Sequence, residues 1–143
     1  MRNLISVFLI LFVGSASAEP ITPQPGTQLR RDVLDAARVA AEADLGAPVR
    51  FVVQELLVDA GRAFAILDAQ RPDGSAVDLA LTPLVLEQGR PIDLIDGPIF
   101  IGYLYQSDGR WITDDYVIGP TDVWWADGRF CAKYSAVVPY NIC

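Results

Sequence analysis

"VRFVVQELLVDAGRAFAILDAQ" (residues 49–70) decides the fold. Its two halves are rich in apolar, β-branched and aromatic residues, and "DAG" (59–61) between them is a tight-turn sequence. Such a pair of runs reads as a β-hairpin, with 49–58 returning through 62–70. The same logic gives a second hairpin: "PIFIGYLYQ" (98–106), the turn "SDG" (107–109) and "RWITDDYVIG" (110–119). Asp-Gly between aromatic-rich runs is the strongest local signal in the chain. "RPDG" (71–74) is a further turn and "SAVDLAL" (75–81) a weaker strand. Residues 82–97, with two prolines and two glycines, read as a long connection with room for one helical turn.

Upstream of the first hairpin, 27–45 predicts a helix. Thr27 can cap its first turn, Asp32 suits the positive N-terminal end, and Gly46 with Pro48 stops it. Leu29, Val33, Ala36, Ala37, Ala40 and Ala43 share one side, while Arg30, Arg31, Asp35, Arg38 and Glu42 fall largely on the other. An alanine-rich stripe suits a helix lying flat on a sheet. The expected fold is therefore α+β: one N-terminal helix packed on a curved antiparallel sheet of about four to five strands, in a cystatin-like arrangement.

Residues 1–18 read as a signal peptide rather than as part of that fold. Arg2 precedes an apolar run from Leu4 to Val13, and Ala16-Ser17-Ala18 has the small-x-small pattern of a cleavage site. The run is shorter than the ~20 residues that a spanning helix needs. The residue directly after the cut is Glu19 rather than a cysteine, so nothing suggests a lipid anchor. Residues 19–26, "EPITPQPG", form a flexible lead-in, and 27–143 form a single domain. Removing 1–18, which carry Arg2 and no acid, takes the net charge from −7 to −8. An acidic chain without a basic stripe is a poor binder of nucleic acid or anionic lipid. The expected location is periplasmic or secreted, with no membrane association after cleavage. In that compartment the two cysteines, Cys131 and Cys143, are expected to form a disulfide.

"LGAPVRFVVQELLVDAGRAFAILDAQRPDG" (45–74) with "DGRWITDDYVIGPTDVWW" (108–125) resembles a group of small exported bacterial proteins without assigned function. The shared pattern is LG-x-PV-x-FVV, then RP-x-G, then GPTDV-x-W. The tail carrying both cysteines departs from it. The resemblance implies a structural core of this kind and offers no activity.

Candidate chemistry is sparse. The sequence has no histidine, which excludes Ser-His and Cys-His catalysis and His-ligated zinc. Ser75, Ser107 and Ser135 lack a Gly-x-Ser-x-Gly context. "DLIDG" (93–97) and "RPDGSAVD" (71–78) do not fit a calcium loop, and no cofactor or metal is expected. Asp114 and Asp115 are neighbours, which on a regular strand point to opposite faces. Asp115 with Asp78 or Asp93 satisfies the spacing of a two-carboxylate hydrolase only as well as many arbitrary pairs do.

"GPTDVWW" (119–125) places two tryptophans side by side after a Gly-Pro break. If the segment is extended, Val123 and Trp125 share a side. Trp125 is then expected as a plug between sheet and helix, and Trp124 as the exposed partner. With Tyr103, Tyr105 and Tyr116, Trp124 makes up the expected binding surface. The expected function is a small exported binding or accessory domain for an envelope protein or a small ligand. Its rivals are an enzyme working with Asp, Tyr and Arg alone, and an inhibitor of a cationic envelope hydrolase.

Overall fold

The computed structural model describes residues 18–143, so the expected signal sequence lies outside the described residues except for Ala18. Helix α1 (Gln28–Leu45) opens at Thr27, whose side chain accepts a hydrogen bond from the Arg30 amide. It closes at Gly46, whose amide donates to Glu42 O. Val33, Ala37, Ala41 and Leu45 are its fully buried residues, one turn apart. The buried stripe therefore runs through Ala41, and Ala43, expected on the core side, is exposed.

Four strands follow as a meander: β1 (Arg50–Asp59), β2 (Arg62–Gln70), β3 (Ile99–Ser107) and β4 (Arg110–Ile118). All neighbours are antiparallel, and the order is β1-β2-β3-β4. One helix on an open four-stranded antiparallel sheet is the expected α+β class. Ala63, Ala65 and Ala69 of β2 share a core with Ala37 and Ala41 of α1, although the helix itself lies closest to β4 and β3. Gly102 of β3 makes room for side chains of the sheet itself. A Cβ there would lie 2.8 Å from both the Phe100 ring and Tyr116 Cβ. Those two rings instead stack, with centroids 5.3 Å apart and planes within 13°.

Residues 75–81 are not a strand. They make one isolated bridge, Ala76 with Gln70, and then a 3₁₀ turn, Leu79–Leu81, in which the Asp78 side chain accepts from the Ala80 amide. A competent cap next to Pro83 wins over weak strand propensity. The expected helical turn in the long connection is α2 (Pro83–Leu86), followed by a 3₁₀ turn at Ile92–Leu94. Arg71 of the "RPDG" turn reaches back to the end of α1. Its guanidinium donates to Leu45 O (3.0 Å), Gly46 O (2.6 Å) and Pro48 O (3.1 Å). A planar cation over helix C-terminal carbonyls satisfies groups that the helix itself leaves open.

Candidate functional site

The tryptophan segment does not lie between sheet and helix. Gly119, at φ +54°, turns the chain, its amide donating to Ile99 O and its carbonyl accepting from the Asp96 amide. The tail then crosses the sheet face opposite α1 as 3₁₀ turns Trp124–Ala126 and Gly128–Phe130, running into α3 (Cys131–Tyr134). Asp127 starts the second turn by accepting from the Arg129 amide. Phe130, Tyr134 and Val137 are thereby pressed onto Phe64, Ile101 and Tyr103, forming a second, aromatic core. Tyr103 lies at its centre. Its ring is 4.5 Å from Phe130, 4.6 Å from Tyr134 and 5.1 Å from Phe64, and its hydroxyl donates to Trp125 O at 2.8 Å. Cys131 and Cys143 are within bonding distance, and their disulfide closes the far side of this cap.

The expected faces of the two tryptophans are accordingly revised. The segment is a 3₁₀ turn rather than extended, so the alternation argument does not apply. Both indoles are half-buried against the aromatic core. Trp124 meets Tyr103 and Phe130 edge-to-face at 6.3 and 5.4 Å, and its indole nitrogen is buried without a partner. The four expected binding residues do not make one surface. Tyr103 is fully buried. Tyr105 is half-buried on the cap side, where Lys133 Nζ sits 4.0 Å from its ring centroid. Tyr116 lies on the other face, stacked on Phe100 with its hydroxyl donating to Ala40 O at 3.4 Å. Burial pushes the Tyr103 phenol up to about 12. Burial, then the nearby Asp44 carboxylate, does the same for Tyr116, also to about 12.

A β-bulge joins the two neighbouring aspartates. Tyr103 pairs with Asp115 and Leu104 with Thr113, leaving Asp114 as the extra residue. The bulge turns both carboxylates toward the cap, against the expectation that they face opposite ways. Asp114 accepts from Lys133 Nζ (2.8 Å) and the Tyr134 hydroxyl (2.6 Å), and Asp115 from Arg129 (3.2 Å). Lys133 is the single lysine of the sequence. Partial burial raises the Asp114 carboxyl. The hydrogen bonds from Lys133 and Tyr134 and the charges of Lys133 and Arg62 outweigh it, leaving the group below the usual aspartate range. Burial, then the Asp114 hydrogen bond, holds the Tyr134 phenol above the ordinary tyrosine range. These groups border a shallow cleft of about 220 Å³. A carboxylate paired in this way is a poor proton donor at neutral pH. Its visible work is to clamp the cap onto β4.

A further feature lies on the helix side. Two adjoining clefts, of about 380 and 310 Å³, run between α1 and β4 and share Ala36, Val39 and Trp111. Val39 is 74% exposed on the helix rim, above Trp111 of β4. Asp32, Asp35 and Arg110 stand at one end. The Thr113 hydroxyl donates to Ala36 O at 3.0 Å and fixes the spacing of strand and helix. Among the described residues β4 pairs only with β3, so its outer edge is free, whereas β1 is covered at Val58 by Ile21. Val39 is the signal that sequence reading passed over: a large aliphatic residue among the helix's polar positions.

Among the described residues no group of three or more thiol or carboxylate side chains could hold a metal, and no helix is long and apolar enough to cross a membrane. Compared with known proteins, the chain matches no family, no curated protein and no solved structure.

Proposed function

We propose that this chain is a small exported binding or accessory domain that engages a protein partner along the α1–β4 groove. The observation that carries the reading is the coincidence of a free strand edge with an apolar groove. Val39 and Trp111 offer side-chain contacts, and the edge offers backbone hydrogen bonds to an extended segment. The rival reading, an enzyme built on Asp, Tyr and Arg, has less support. Asp114, Asp115, Arg129 and Tyr134 are engaged with one another. Export is supported by the sequence of residues 1–18 and by the Cys131–Cys143 pair, which suits an oxidising compartment. The resemblance of 45–74 and 108–125 to small exported proteins points the same way.

The test is capture from periplasmic extract with the domain starting at Glu19, beside Val39→Glu and Val39→Arg variants of equal thermal stability. A discrete species held by the unaltered domain and lost with both variants supports the groove. Equal capture by all three would sink it. Intact-mass measurement of the exported protein tests the cleavage site, with a start at Glu19 expected.

A further inference from the structure

The segment between β2 and β3, expected as a weak strand at 75–81 and a long connection at 82–97, carries much of the exposed aliphatic surface among the described residues. Leu81, Leu86, Ile92 and Leu94 are 70, 66, 49 and 52% exposed within one short stretch. The stretch is well ordered by its own bonds. Thr82 is buried with its hydroxyl donating to Leu79 O, the Arg90 amide donates to Leu84 O, and Arg90 NH2 reaches Leu94 O. Leu84 and Ile95 anchor it in the main core. Side chains on a fixed backbone that stay in water present a contact surface at low ordering cost.

Charge chooses the occupant. Residues 78–97 contain four carboxylates, at Asp78, Glu87, Asp93 and Asp96, against the single guanidinium of Arg90. All four acids are exposed. A second copy of the chain would bring the same excess of negative charge against itself. An anionic lipid surface would be repelled too. Apolar side chains interspersed with acids are complementary to apolar side chains interspersed with bases. We infer that this connection is a docking surface for a protein partner presenting an apolar patch flanked by lysine or arginine.

The inference does not depend on the α1–β4 groove, and one experiment separates them. The probe is a synthetic amphipathic helical peptide with a leucine face flanked by lysines, titrated into the isotopically labelled 19–143 domain and followed by amide chemical shifts. Shifts confined to residues 79–97 are expected. Affinity should fall at least several-fold between low and near-physiological salt, since exposed charges are screened over about 8–10 Å there. Leu86→Gln with Leu94→Gln should abolish the shifts at an unchanged melting temperature, because neither side chain is in the core. A counterpart peptide with glutamates for lysines should not bind. No shifts, shifts located in the groove or under the cap, or salt-independent binding would overturn the proposal. So would concentration-dependent dimerisation that the Leu86 and Leu94 changes remove, or binding of phosphatidylglycerol vesicles by the same residues.

Discussion

Gly102 shows how tightly individual positions are specified. The missing side chain is filled by Phe100 and Tyr116, which stack above it. Gly102→Ala should displace one of the rings and cost about 1–3 kcal/mol, as overpacked cores do. Denaturant midpoints of the two proteins measure it, and an unchanged midpoint would show that the stack can shift freely. The tryptophans give a second residue-scale expectation. Trp124 contacts two aromatic rings edge-on, whereas Trp125 contributes its carbonyl to Tyr103, a bond that survives truncation of the side chain. Trp124→Ala should therefore cost more than Trp125→Ala, by about 1 kcal/mol or more on the scale of aromatic truncations. Urea unfolding of both variants decides the order. The reverse order follows from reading "DVWW" as a strand. Two adjacent tryptophans do not themselves distinguish a strand from a 3₁₀ turn, so that assignment was beyond the sequence.

At the scale of elements, the local signals were legible and the tertiary ones were not. The helix and both hairpins carry their own caps, turns and periodicity, and they stand where those features put them. The weak strand at 75–81 gave way because Asp78 caps a turn. The bulge at Asp114 has no local signature, so the two carboxylates were assigned to opposite faces. Two expectations belong here. Arg71 holds three carbonyls at the end of α1, so Arg71→Ala should destabilise by about 2–3 kcal/mol, and Arg71→Lys should recover only part of it. Thermal melts of the two variants check this. Asp114 clamps the cap, and its folded-state affinity for protons is lowered. Its contribution is thus complete above the unfolded-state value of about 3.9 and fades as pH falls below it. The stability advantage of the unaltered protein over Asp114→Asn should be constant from pH 5 to 7 and shrink toward pH 3. A difference that grows on acidification would refute the clamp.

The described residues form three layers: α1, the sheet, and the disulfide-closed tail. The outer layers depend on the sheet differently. α1 is continuous with the large core, while the tail rests on the smaller aromatic one and is tied by a bond spanning 12 residues. Closing a loop of that size stabilises by roughly 2–3 kcal/mol. Reduction should therefore raise amide exchange in 128–138 while α1 and β1–β4 keep their protection. Uniform loss across the chain would mean that the tail and the sheet unfold as one unit.

Covering both sides of the sheet also fixes the frame in which its strands align. Toward α1 the central strands present Ala63, Ala65, Leu67, Phe100 and Leu104; toward the tail they present Phe64, Ile66, Ile101 and Tyr103. A slip of one residue in β2 or β3 would exchange the two sets, bringing rings where alanines had packed and alanines where rings had packed. In a one-sided sheet such an error only wets the wrong residues. Here both neighbouring layers reject it, so two faces that are each packed to fit act as a proofreading device for strand alignment.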